Sequence, residues 1–120
     1  LVSILDNFKF KNKVLSVIDP IQYGKEFELN DKLGNLLGCK FISISKEECI
    51  YEYEVNESHF NPNGILHGGA LFIAMDSCQG CFIHFILENE FKSAATGTAK
   101  IRYNAPLEKG KILIKTKLIE

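Results

Sequence analysis

The stretch Gly68–Leu87 reads Gly-Gly-Ala-Leu-Phe-Ile-Ala-Met-Asp-Ser-Cys-Gln-Gly-Cys-Phe-Ile-His-Phe-Ile-Leu. It is apolar on nearly every side at helical spacing, which is the pattern of a helix buried on most of its surface. Asp76, Ser77, Gly80, His84 and Glu88 interrupt it, all within ~120° of arc at 100° per residue. The length would cross a membrane, but a charged Asp76 at bilayer depth is expensive, so a core helix is the reading and no membrane span is expected.

Strand patterns lie on both sides. Upstream, Lys40–Ser45 and Glu48–Val55 read as strands. In the second, Cys49, Tyr51, Tyr53 and Val55 alternate with Glu48, Glu52 and Glu54, and the short Ser45-Lys46-Glu47 link predicts a hairpin. Asn30–Leu37 reads as a short helix with Asn30 as cap and Gly38 just past its end. Asn56–Gly64 is a loop by composition. Downstream, Ser93–Tyr103 alternates again. Ala95, Gly97 and Ala99 share one face, and their small size predicts that this face packs closely on the long helix. Lys111–Glu120 reads as a last strand. Residues 1–29 are expected to form an N-terminal extension, with Ile4, Leu5, Phe8, Leu15 and Ile18 pointing to an amphipathic helix. Strands before and after one central helix define an α+β domain with an antiparallel sheet wrapped around that helix.

Composition narrows the function. The chain has 120 residues, fewer than the roughly 150 of a typical domain, so a single domain spanning 1–120 is expected. Lys and Arg number 14 against 15 Asp and Glu, for a net charge of −1. A nucleic-acid binder usually carries a basic excess, so no nucleic-acid partner is expected. Four Cys in a chain that is 46% hydrophobic do not make a disulfide scaffold. Asp6, Lys9 and Lys11 break up the N-terminal apolar residues, so a signal peptide is not expected. Free thiols in the cytoplasm follow. Cys78 and Cys81, even with His59 and His67, match no zinc-finger spacing, and neither metal nor other cofactor is expected.

The chemistry concentrates in His59-Phe60-Asn61-Pro62-Asn63-Gly64-Ile65-Leu66-His67-Gly68-Gly69 and in Asp76 further on. A polar loop delivers His67-Gly68-Gly69 to the start of the long helix. There the first N–H groups lack intrahelical partners and the dipole is positive. Two glycines let a ligand approach the backbone. Such a site suits the carbonyl oxygen of an ester or thioester. Asp76, about two turns on, is a carboxylate that apolar surroundings penalise unless it is paired or used.

Asn61, Gly64, His67, Gly68, Gly69 and Asp76 stand at the spacing of the hotdog-fold thioesterases of the phenylacetate-pathway type, which this segment resembles. Arg102-Tyr103-Asn104-Ala105-Pro106 is similar to that family's Tyr-x-x-Pro strand end. The resemblance covers residues 35–120. It implies a hotdog fold, at least a dimer (a homodimer or homotetramer), and an acyl-CoA or acyl-carrier-protein thioester as substrate. It implies helix-start N–H groups that hold the thioester carbonyl, and Asp76 as nucleophile or general base. Thr96 falls where related enzymes carry a Ser or Thr near the attacking water. The family also has one or two further strands beyond the one that ends at Glu120.

Each residue has a plainer alternative. Asn61 serves the site or only the turn before Pro62. His67 acts directly or bonds the loop backbone. Thr96 positions water or is an ordinary strand residue. Lys100 and Arg102 contact CoA phosphates or form a solvated strand face. Phe60, Phe72, Phe82 and Phe85 are candidates for an apolar acyl pocket. Two rival functions remain. One is a hotdog dehydratase or hydratase, since His59-Phe60-Asn61-Pro62 resembles the His-Phe-Pro of that branch. The other is a non-catalytic acyl-CoA-binding module, against which the retained Asp76 stands.

Overall fold

The computed structural model describes residues 2–5, 19–87 and 93–119. In chain order these form strand β1 (Val2–Leu5), helix α1 (Pro20–Asn30), helix α2 (Lys32–Leu37), strands β2 (Lys40–Ile44) and β3 (Glu48–Glu54), a 3-10 turn (Glu57–His59), helix α3 (Gly68–Leu87) and strands β4 (Ser93–Thr96) and β5 (Lys111–Lys117). All strand pairs are antiparallel. β3 is central to a three-stranded sheet in the order β2-β3-β5, and β4 pairs with β1. Helix α3 packs on β3, β4 and β5 and on both shorter helices.

The hairpin β2–β3 forms as expected, closed by the Ser45 N–H donating to the Glu48 carbonyl. Along β3 the odd residues Cys49, Tyr51 and Tyr53 are fully buried. They meet Ala70, Ala74, Cys78 and Cys81 of α3, all buried at i, i+4, i+8 and i+11. These small side chains bring the helix close to the sheet. The one helix among the described residues long and apolar enough to cross a membrane is thus the core helix itself.

The structure corrects three expectations. Residues 2–5 are a strand and not part of an amphipathic helix; 6–18 lie outside the described residues, as does Glu88. Helix α1 starts at Pro20, where Asp19 caps it by accepting from the Ile21 N–H at 3.0 Å. The second helix is capped by Asp31, not Asn30, through a bond from the Gly34 N–H, while Gly38 ends it in the left-handed region at φ 84°. Finally, β4 stops at Thr96 instead of Tyr103, and its faces are reversed. Ala94 is buried and Thr96 turns to α3, whereas Ala95, Gly97 and Ala99 are exposed. The alternation there is real, but a strand also needs a neighbouring ladder, and within the described residues none reaches 97–103.

Tyr51 is fully buried, and its hydroxyl lacks a hydrogen-bond partner among the described residues. Beside it lie cysteine thiols, Cys81 foremost, which are weak donors and acceptors. An unsatisfied buried hydroxyl carries its full desolvation cost. Tyr51→Phe is therefore expected to raise stability by about 1 kcal/mol. The check is an upward shift of the urea midpoint at unchanged slope.

Candidate active site

The loop that enters α3 is held from several sides. Asn56 caps the 3-10 turn through the Ser58 N–H, and the Tyr53 hydroxyl meets His59 Nδ1 at 2.5 Å with the two rings stacked. The His67 N–H donates to the His59 carbonyl at 2.9 Å. Asn61 Oδ1 accepts from the N–H groups of Asn63 (2.9 Å) and Ile65 (3.4 Å), and Gly64 supplies the left-handed turn at φ 77°. Asn61 is therefore a turn residue in this chain, through that oxygen.

His67 Nδ1 accepts from the Gly69 N–H at 2.9 Å. It does the work of an N-cap, satisfying one of the orphan amides of the first turn. That engages Gly69, which the sequence had grouped with Gly68 as a free donor. The Gly68 N–H has no protein acceptor among the described residues. Tyr103 stands over Gly68: its hydroxyl donates to the Gly68 carbonyl at 2.9 Å, and a Cβ on Gly68 would meet its ring at 3.2 Å. A cleft of about 400 Å³ opens here, bordered by Asn61, Leu66, Gly68, Leu71, Tyr103 and Pro106.

Asp76 lies elsewhere on the helix. It is half-buried, and its Oδ1 accepts from Thr96 Oγ1 at 2.6 Å. The structure thus joins these two expected residues directly. On one side of Asp76 is a groove of about 360 Å³ between α3 and the α1–α2 pair, walled by Phe27, Leu33, Phe72 and Ile73. Of the four phenylalanines expected to line a pocket, Phe72 walls this groove. Phe82 is 2% exposed in the core, Phe85 packs edge-on against Tyr23, and Phe60 bridges to Leu66 within the loop. On the other side a second cleft of about 250 Å³ is bordered by Asp76, Gln79, Ile83, Ala94 and Thr96.

Neither of these reaches Gly68, and the cleft at Gly68 does not reach Asp76. Eight residues of helix separate the two, ~12 Å along the axis. Lys100 and Arg102 are exposed on the segment after β4.

Sequence reading missed three contacts. Ser77 Oγ donates to Asp31 Oδ2 at 2.5 Å, tying α3 to the cap of α2. Ala94 donates to His84. Tyr103 reaches Gly68 across 35 residues of chain. The polar stripe of α3 was the only local signal for the first two. The third had none, because the partners come together only in the fold.

No family model matches the chain. Among curated proteins it is similar to two candidate esterases of Saccharolobus solfataricus. One is 25% identical over 109 residues, spanning 91% of this chain and 71% of that protein; the other is 28% identical over 102 residues, spanning 84% and 71%. Among solved structures it superposes on a mutant thioesterase of Pseudomonas aeruginosa with a TM-score of 0.74 at 20% identity, over 88% of this chain and 75% of that one. The PaaI protein of the Escherichia coli phenylacetic acid degradation operon gives 0.70 at 19%, over 81% and 68%. Thioesterase superfamily member 2 of Mus musculus gives 0.69 at 22%, over 84% and 74%. The chain has the hotdog fold, an antiparallel sheet around one long helix, and its neighbours in that fold include thioesterases.

Proposed function

We propose that this chain hydrolyses a thioester, acyl-CoA or acyl-carrier-protein, with water as the acceptor and no metal or redox cofactor. The observation that carries the reading is the Asp76–Thr96 pair at 2.6 Å on the helix whose start leaves the Gly68 N–H without an acceptor among the described residues. Asp76 acts as general base or nucleophile, Thr96 orients the carboxylate and the attacking water, and the Gly68 amide takes the carbonyl oxygen. His67 and Asn61 shape the loop that presents this amide. The acyl group lies in the groove walled by Phe27, Leu33 and Phe72, and Lys100 and Arg102 are offered to CoA phosphates.

The ~12 Å between Gly68 and Asp76 favours a site shared between two chains, one giving the amide and the other the carboxylate. The exposed segment after β4, with Ile101 and Tyr103 at 36% and 51% exposure, is the surface proposed to join them, in a dimer or tetramer. The compartment proposed is the cytoplasm, and all four cysteines are free.

A panel of acyl-CoA thioesters with a thiol dye tests the reading. Release of free CoA is expected for at least one acyl group. A change in the acyl chain without thiol release would instead indicate a dehydratase. Binding with neither change would indicate a non-catalytic acyl-CoA-binding module.

A further inference from the structure

His84 is 8% exposed and sits on the same line of α3 as Asp76 and Gly80, at successive four-residue steps. Its Nδ1 is 2.8 Å from the Gly80 carbonyl oxygen, and the Ala94 N–H points at its Nε2 from 3.3 Å. A carbonyl only accepts, so Nδ1 carries the proton. An amide N–H only donates, so Nε2 presents its lone pair. Both contacts are satisfied together by the neutral Nδ1–H tautomer and by no other form. Burial acts in the same direction, holding the imidazole below its ordinary pKa.

Two residues beyond Ala94, Thr96 donates to Asp76. Ala94 and Thr96 lie on one face of β4, so that face is fastened to α3 at two points, eight helix residues apart. The 250 Å³ cleft with Asp76 and Gln79 lies between the fastenings. β4 is only four residues long and its ladder among the described residues is to β1 alone. So short a strand needs a second tether to hold its height on the helix.

We infer that His84 is a positioning residue: its neutral Nδ1–H ring clips β4 to α3 and so sets the Thr96–Asp76 contact on which the thioester reading above rests. The two expected consequences are separable. His84→Leu keeps volume and loses the acceptor; His84→Gln keeps an acceptor within reach of Ala94.

Four measurements on the full chain test this: long-range ¹H–¹⁵N spectra of the imidazole, hydrogen exchange at the Ala94 amide, the chemical shift of the Thr96 methyl, and kcat and KM on whichever acyl-CoA the parent cleaves. The parent is expected to show His84 in the Nδ1–H tautomer with a protected Ala94 amide. In His84→Leu that protection is lost and the Thr96 methyl resonance moves. There kcat falls on the order of tenfold while KM stays within about twofold, the sign of a misplaced reacting group. His84→Gln recovers most of both. An Nε2–H tautomer, an unchanged Ala94 amide in His84→Leu, or equal losses in the Leu and Gln variants would overturn the inference. If His84→Leu fails to fold, the parent tautomer and the Gln variant decide. If the parent cleaves no thioester, the catalytic reading falls, while the tautomer, the Ala94 amide and the Thr96 methyl still judge the clip.

Discussion

Asp76→Asn is expected to cut turnover by on the order of 10²-fold or more while substrate binding stays nearly intact. The substitution keeps the size of the side chain, and the amide oxygen still accepts from Thr96 Oγ1. What it removes is the charge that takes a proton from water or attacks the carbonyl. The shared-site geometry adds a second expectation. A Gly68→Val chain is disabled differently: the added carbons run into the Tyr103 ring, which already lies 3.2 Å from a Cβ at that position. Mixed dimers of Asp76→Asn with Gly68→Val contain one site with an intact carboxylate from one chain and an intact helix start from the other. Mixing two inactive preparations should then restore part of the activity. Steady-state rates on the cleaved thioester give the first result, and titrating one variant against the other gives the second. Parent-like hydrolysis by Asp76→Asn would leave Asp76 with a structural role only.

Gly24→Ala should destabilise the fold, against the expectation from helix propensity. In an exposed helix interior this change is worth about 1 kcal/mol in the favourable direction. Here Gly24 is buried on α1, facing β2, and a Cβ would stand 2.0 Å from Phe41 Cε1 and 2.1 Å from Cζ. Phe41 is held in turn: it is 8% exposed, its ring packs edge-on against Tyr51, and its N–H donates to Glu28 Oε1 at 2.6 Å. Overpacking of this kind costs about 1–3 kcal/mol. Each net kcal/mol lowers Tm by roughly 4 °C in a domain of this size, where the ranges for smaller and larger domains meet. Adding Phe41→Leu makes room, so the double variant should lose less than the sum of the single ones. A higher melting temperature for Gly24→Ala alone would mean that α1 does not dock on β2 through this residue.

Local patterns carried the hairpin and α3. Tyr51 and Tyr53 alternate with Glu52 and Glu54, and twenty nearly unbroken apolar residues have few alternatives to a buried helix. The start of α1 was also written locally, as Asp19 before Pro20. β4 shows the limit of periodicity. Ala95, Gly97 and Ala99 do alternate, yet which face turns inward depends on where Thr96 meets Asp76, twenty residues away. At the candidate site, Asp76 and Thr96 were legible through the family resemblance. The pairing of Gly69 with His67 was not, because a histidine at a helix start reads equally well as a ligand group or a cap. The His84 clip was hidden for a related reason. A buried imidazole declares its job only through the atoms at both nitrogens.

The four cysteines have a practical consequence. Cys49, Cys78 and Cys81 are fully buried, and Cys39 is 2% exposed with its thiol pushed up to about 11 by burial and the nearby Asp31 and Glu28. Burial therefore denies a thiol reagent access to all four sulfurs in the native chain. The dye that counts released CoA should start from a silent background. Left in contact with enzyme alone, the same dye becomes a clock for global opening, since each molecule that unfolds exposes all four sulfurs together.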